Sequence, residues 1–270
     1  MLPSFRVLGV SINAVQMPDA VARLRSWIDD DAATTRFVAV TSMHGIAESR
    51  QSNDFRQVLN SADLVVPDGM PLIWLARTRG FPLLRRVCGS ELMDNFCQAS
   101  GNAYRHFFYG GGPGVAEKLA QTLQEKHGIV VAGTYTPPFR ALTEAEEGEF
   151  ASCLQKASPD VLWVGLSTPK QEKWMYEHRL RLKVPVMLGV GAAFDMNCGK
   201  LRRAPKWMQD RGLEWFFRLL SEPRRLWKRY LMVIPKSAWF VCLELLHSLI
   251  TRTEPNTRVE ANSTGEKPIS

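Results

Sequence analysis

Short apolar runs alternate with amphipathic ones from residue 6 to residue 200. The apolar runs are RVLGVSI (6–12), RFVAVTS (36–42), DLVVP (63–67), RHFFYG (105–110), IVVAGTY (129–135), DVLWVG (160–165) and VPVMLGV (184–190). Each has the length of a strand and is almost unbroken in apolar residues. Between them, residues 19–30, 115–127, 144–156 and 170–182 repeat apolar positions at helical spacing. Unbroken apolar strands are buried on both faces, and strands that alternate with helices pair in parallel. The pattern predicts an α/β fold, a Rossmann-like parallel sheet core with helices on both faces, over residues 1–199.

After Gly199 the strand signal stops. Residues 199–236 are helix-compatible and hold eleven basic and three acidic residues, a net +8 against +7 for the whole chain. The basic charge is therefore local, a property of an appendage spanning 200–250. If a helix passes Pro223 with only a kink, Phe216, Leu219, Leu220, Trp227, Tyr230 and Leu231 share one face and Arg218, Arg225 and Arg229 the other. That arrangement suits an anionic membrane surface or a diphosphate-bearing lipid, and equally a docked helix with a solvated charged side. Residues 251–270 are polar and aperiodic, and are expected to form a disordered tail.

Composition narrows the setting. With 270 residues, 45% hydrophobic and 23% charged, the chain can bury one large core or two small ones. Five scattered cysteines without a CxxC pair fit neither a disulfide framework nor a zinc site, and point to a reducing cytoplasm. The N-terminus lacks the pattern of a signal peptide. The most apolar window, 231–250, carries Pro235, Lys236, Glu244 and His247, so it is expected to lie on a membrane rather than span one. No nucleic-acid recognition module is apparent.

In parallel sheets ligands bind beyond the carboxyl ends of the strands, and those ends carry the unusual residues here. They are Thr41, Ser42 and His44 in VTSMHG; Asp68 in VVPDGMP; Gly110, Gly111, Gly112 and Gly114 in FYGGGPG; Ser167, Thr168, Lys170 and Gln171 in GLSTPKQE; and Gly189, Gly191 and Asp195 in LGVGAAFD. Glycines at a strand-to-helix turn let backbone N–H groups approach an anion, and several such loops on one edge favour a nucleotide site. A cation such as Lys170 at a helix start opposes the helix dipole, which suggests an anion nearby. Asp68 has two readings: a cap for the helix that opens near Pro71, or a carboxylate aimed into an active site. Metal chemistry is poorly supported. The one acidic cluster, Asp29-Asp30-Asp31, falls at a helix end, and neither a phosphate-binding P-loop nor a GxSxG elbow occurs.

The ordered set TSMHG, ADLVVPDGMPLIW, RRVCGSELM, FYGGGPGVAEKLA, PDVLWVGLSTPKQEKWM and GVGAAFDMNCGKLRRAPKWMQDRGLEWFFRLLSEPRRLWKRYL resembles the WecG/TagA/CpsF glycosyltransferases, glycosyltransferase family 26, over residues 5–232. The resemblance implies inverting, metal-independent transfer of a sugar from UDP to an undecaprenyl-diphosphate-linked sugar, without a cofactor, at the inner face of the cytoplasmic membrane. It places the base on Asp68, with Thr41 and Gln171 beside it in catalysis and Arg86 in the RV.G..L motif. The appendage arginines fall on Arg218 and Arg225, with Arg224 adjacent. Many members carry Asn where this chain has Met43, which makes His44 a candidate replacement contact. Together with Gly111, Gly112, Lys170, Gly191 and Asp195, these arginines and His44 form the expected substrate-binding set. The expected partners are the UDP-sugar, the lipid-linked acceptor, a membrane surface and a second copy of the chain. The competing readings are a non-catalytic nucleotide-sugar or lipid-diphosphate binding protein and a membrane-surface interaction protein.

Overall fold

The computed structural model describes residues 2–30 and 34–224, together with 227, 231, 235, 239, 240, 242 and 243. The expected strand at 6–12 is instead a hairpin, β1 (Ser4–Val7) and β2 (Val10–Asn13), paired antiparallel. Its two-residue turn is Leu8-Gly9, both at positive φ (49° and 86°), the backbone that matches the twist of tight hairpins. The apolar run conceals this reversal because Leu8 occupies a turn position usually held by Asn or Asp.

The main sheet contains β3 (Arg36–Thr41), β4 (Leu64–Pro67), β5 (Arg105–Gly110), β6 (Val130–Tyr135), β7 (Val161–Gly165) and β8 (Val186–Gly189) in the order β4-β3-β8-β7-β5-β6. Every pairing is parallel. Alternate residues of β3 serve opposite faces. Val38 and Val40 pack with α1 (Met17–Asp29), α5 (Gly89–Ser100) and α6 (Val115–His127), while Ala39 packs with β1, β2 and α2–α4 (Met43–Gln51, Asn53–Asn60 and Met70–Thr78). A third cluster gathers Phe107, Tyr109, Leu162 and Met187 under α7 (Glu144–Ala157) and α8 (Lys170–His178). Trp163, Phe107 and Phe108 are fully buried, each contributing roughly 1.5–3 kcal/mol by transfer from water.

Beyond the sheet lie α9 (Ala193–Asn197), α10 (Lys206–Asp210) and α11 (Glu214–Ser221). Helix α11 does not run through Pro223. It ends at Ser221, and Glu222 leaves the helical region (φ −134°, ψ 56°), as a residue preceding proline is biased to do. The continuous two-faced helix is therefore overturned. Arg225, Arg229 and Tyr230, as well as the expected tail at 251–270, lie outside the described residues. Within α11, Phe216 and Leu220 are exposed, whereas the Arg218 Nε is buried. Among the described residues no helix is long and apolar enough to cross a membrane.

Candidate active site

Because all six main strands run in parallel, Thr41, Asp68, Gly110, Gly165 and Gly189 come to one edge of the sheet. Gly110 and Gly165 are partners in register, and the fit leaves no room for side chains. A Cβ on Gly110 (φ 122°) would lie 2.7 Å from the Gly165 backbone, and one on Gly165 would lie 2.6 Å from the Phe194 ring. The Gly111 N–H donates to the Gly165 carbonyl at 3.0 Å, so the loop after β5 is drawn against β7. Gly112 follows in the same turn, ahead of α6.

Asp68 leaves β4, the outer strand, with its N–H donating to the Thr41 carbonyl at 2.8 Å. Its carboxylate does not cap the next helix. Gly69 is the cap residue of α4, at φ 130°, and makes no side-chain capping bond. Instead Asp68 Oδ1 accepts from Arg86 at 3.1 Å, and the other arm of the Arg86 guanidinium donates to Glu214 of α11. The loop bearing Arg86 is pinned by the Val87 N–H donating to the Pro67 carbonyl at 2.9 Å. Arg86 and Glu214 side chains are 12% and 11% exposed, Asp68 26%. Burial raises the Asp68 pKa; Glu214 and Glu91 push it further up, while Arg86 and Arg218 pull it down. Burial works against the charged Arg86 guanidinium, yet Asp68 and Glu214 nearby leave it even more firmly protonated than usual.

A second polar group lies under the neighbouring strands. Thr41 is 1% exposed and its Oγ1 has no hydrogen-bond partner. A Cβ on Gly45 would lie 3.3 Å from that oxygen and 3.7 Å from the Thr168 methyl, which places Thr41 and Thr168 around one point. Gln171, 2% exposed at the start of α8, rests over β8 so closely that a Cβ on Gly189 would lie 3.2 Å from its amide carbon. The Gln171 Nε2 donates to Glu172 Oε1 at 3.0 Å, and Thr168 Oγ1 donates to the same oxygen at 2.8 Å. The Gln171 carbonyl oxygen is buried without a partner.

The remaining expected residues are more dispersed. His44 is half-buried in the first turn of α2, its Nδ1 3.9 Å from Glu48. Met43 is buried in the hydrophobic cluster with Ile46 and Phe55, so it serves the core. Lys170 and Arg224 are exposed. Asp195 on α9 pairs with Lys200 at 3.6 Å. Gly191 (φ 54°) faces the Gln171 carbonyl oxygen, which would lie 3.5 Å from an added Cβ. Arg225 is outside the described residues. Asp29 and Asp30 lie at the opposite edge: Asp29 accepts from Tyr104 at 2.8 Å and Asp30 faces Arg36, both next to the amino ends of strands.

On the outer flank of β4, a cavity of about 350 Å³ adjoins Arg86. Met70 and Trp74 of α4, Leu84 and Arg85 of the following loop, and Lys206 of α10 line it. Trp74 and Leu84 of this lining are exposed, as are Trp207 of α10 and Trp215 and Phe216 of α11. Arg203 ties this region together by donating to Glu91 and to Gln209, each at 3.0 Å.

A model of the glycosyl transferase WecG/TagA/CpsF family matches residues 5–250. The chain belongs to this family. Similar proteins include two from Bacillus spizizenii and Bacillus subtilis, 33% and 30% identical over 70% and 72% of this chain and 72% and 74% of theirs. A third, from Staphylococcus aureus, is 24% identical over 83% of this chain and 85% of its own. All three are named N-acetylglucosaminyldiphosphoundecaprenol N-acetyl-beta-D-mannosaminyltransferase.

In this WecG/TagA/CpsF glycosyltransferase, three acids of the site escaped the sequence reading: Glu91, Glu172 and Glu214. Glu214 had a visible signal, being one of three acids in a strongly basic segment. Glu172 follows Gln171 directly in the PKQE run and looks like an ordinary first-turn acid. Glu91 occupies a similar place in α5, and only the fold brings it near Asp68.

Proposed function

We propose that this glycosyltransferase moves a hexose or N-acetylhexosamine from a UDP-sugar to a sugar carried on undecaprenyl diphosphate, with inversion and without a metal ion, at the inner face of the cytoplasmic membrane. The observation that carries the reading is the Asp68–Arg86–Glu214 arrangement at the carboxyl edge of the sheet. It presents a carboxylate whose basicity is raised by burial and by Glu214, held by one arm of a fixed guanidinium. Such a carboxylate can take the proton of an acceptor hydroxyl as that oxygen bonds to the anomeric carbon. The bond from that carbon to the β-phosphate oxygen breaks, and its electron pair leaves with UDP. Departing negative charge is met by the helix starts after β5 and β7 and by cations, with Lys170 and Arg218 as candidates.

The sheet order suggests how two substrates reach one base. The donor is assigned to the glycine loops after β5, β7 and β8, on the inner side of Asp68. The acceptor is assigned to the cavity on its outer side, where Arg85 and Lys206 suit a diphosphate and the exposed tryptophans suit a prenyl chain or lipid surface. The names of the relatives support an N-acetylmannosamine donor and an N-acetylglucosamine-bearing acceptor. The test is a panel of UDP-N-acetylmannosamine, UDP-glucose and UDP-galactose against a short-chain prenyl-diphosphate N-acetylglucosamine, with a chelator present. Transfer from one donor that is abolished in Asp68→Asn is the expected result. UDP binding with no transfer from any donor would make the protein a binding module instead.

A further inference from the structure

Glu172 is wholly buried one residue beyond Gln171, and the two donors that reach it converge on a single oxygen. An amide has one face that donates and one that accepts. With Nε2 donating to Glu172, turning the Gln171 amide over would set its carbonyl against Oε1, an oxygen that already accepts from Thr168. The accepting face is therefore left pointing away from Glu172, buried and without a partner, beside Gly191. Gly191 matters here because a side chain would occupy the space in front of that oxygen.

We infer that Glu172 is a positioning residue: it locks the Gln171 amide so that its carbonyl accepts a hydrogen bond from an N–H or O–H group of the bound donor substrate. The inference rests on the reading of this edge as the UDP-sugar site. The matching group is a hydroxyl or acetamido N–H on the sugar, or the imide N–H of the uracil ring. Thr168 supports the lock by donating to the same carboxyl oxygen. A purely structural role for Glu172, as a first-turn acid completing the start of α8, makes no demand on Gln171.

The experiment compares Glu172→Gln, Glu172→Met, Gln171→Ala and the double variant Gln171→Ala/Glu172→Met in the full chain. Glu172→Gln keeps an acceptor opposite Nε2, so it retains donor affinity within about threefold. Glu172→Met and Gln171→Ala each weaken the donor about tenfold, the loss expected for one oriented hydrogen bond, and the double variant is no worse than either. Weakened binding of UDP itself assigns the group to the uracil end. Unchanged UDP binding with a raised KM for the UDP-sugar assigns it to the sugar. If Glu172→Met does not fold, Glu172→Asp draws the carboxylate back from Gln171 and carries the same comparison.

Losses that add in the double variant, or a Glu172→Met protein with wild-type donor affinity, would overturn the inference. The Gln171 side-chain amide resonances report the lock without any ligand, and are expected to shift and broaden in Glu172→Met. A protein that accepts no UDP-sugar would therefore defeat the proposed function while this readout still judges the lock. Resonances unchanged by the substitution would defeat the lock itself.

Discussion

Arg86 holds Asp68 with one nitrogen at 3.1 Å and spends the other on Glu214, so the guanidinium is shared between two carboxylates rather than devoted to one. A single cation beside a base would quench it. Burial, together with the second acid that shares the cation, leaves Asp68 oriented and still more basic than an ordinary aspartate.

Asp68→Asn removes the proton acceptor while keeping the shape. Turnover is expected to fall about a hundred- to ten-thousand-fold, with UDP affinity nearly unchanged and a melting temperature no lower than that of the wild type. The wild-type rate should fall on acidification at a pH above the usual aspartate range, because the raised pKa must be exceeded for the base to work. Stability runs the other way for this group. Its protonated form is favoured in the folded state, so its contribution diminishes as pH rises through the raised pKa. A pH–rate profile and melting curves for both proteins check these expectations.

Glu214→Gln removes the charge that competes for Arg86. The acid limb of the pH–rate profile should move to lower pH and the plateau rate should drop, since Asp68 becomes a weaker base. Arg86→Met should move the limb the opposite way. It should also destabilise the protein by about 3–5 kcal/mol, because two partly buried carboxylates lose their cation. Combining Arg86→Met with Glu214→Gln is expected to recover part of that stability in urea unfolding.

Gly165→Ala places a methyl group 2.6 Å from the Phe194 ring, between β7 and α9. The ring must shift, and a loss of about 1–3 kcal/mol is expected. Paired substitution with Phe194→Leu should restore part of it. Equal losses with and without the smaller partner would show that the strain lies elsewhere.

His106 is a buried core residue that accepts from the Trp163 indole N–H at 3.0 Å, and burial lowers its pKa to about 4. In the unfolded chain it takes a proton near pH 6.5, as an ordinary histidine does. The folded protein should therefore lose stability as pH falls from that value towards about 4. The total is about 3 kcal/mol. His106→Phe should flatten this slope in denaturant titrations while lowering stability at neutral pH, because the indole N–H is left without its acceptor.

The sheet was legible because continuous apolar runs carry their own evidence of burial on both faces. Helix α6 matched its expected bounds, 115–127, since Gly114 and Gly128 frame a clear amphipathic period. The hairpin at Leu8-Gly9 was not legible, because Leu8 keeps the apolar run going through the turn and only backbone angles reveal the reversal. Among site residues, Asp68, Arg86 and Arg218 stood out through their motifs. Their mutual placement did not, because the Arg86–Glu214 bond joins residues 128 apart in the chain. Nor did position reveal that Gly69 relieves Asp68 of capping, which depends on a backbone conformation favoured by glycine.

The dependence on Glu214 has a consequence for incomplete molecules. A nascent or clipped chain ending before α11 still contains every strand of the sheet and its aspartate. Without the competing acid, the Arg86 guanidinium is left to Asp68 alone and lowers its basicity. Such a fragment is expected to offer an activated sugar only the weaker base of Glu214→Gln. Helix α11 thus ties the strength of the base to a segment that the chain adds only after the sheet is complete.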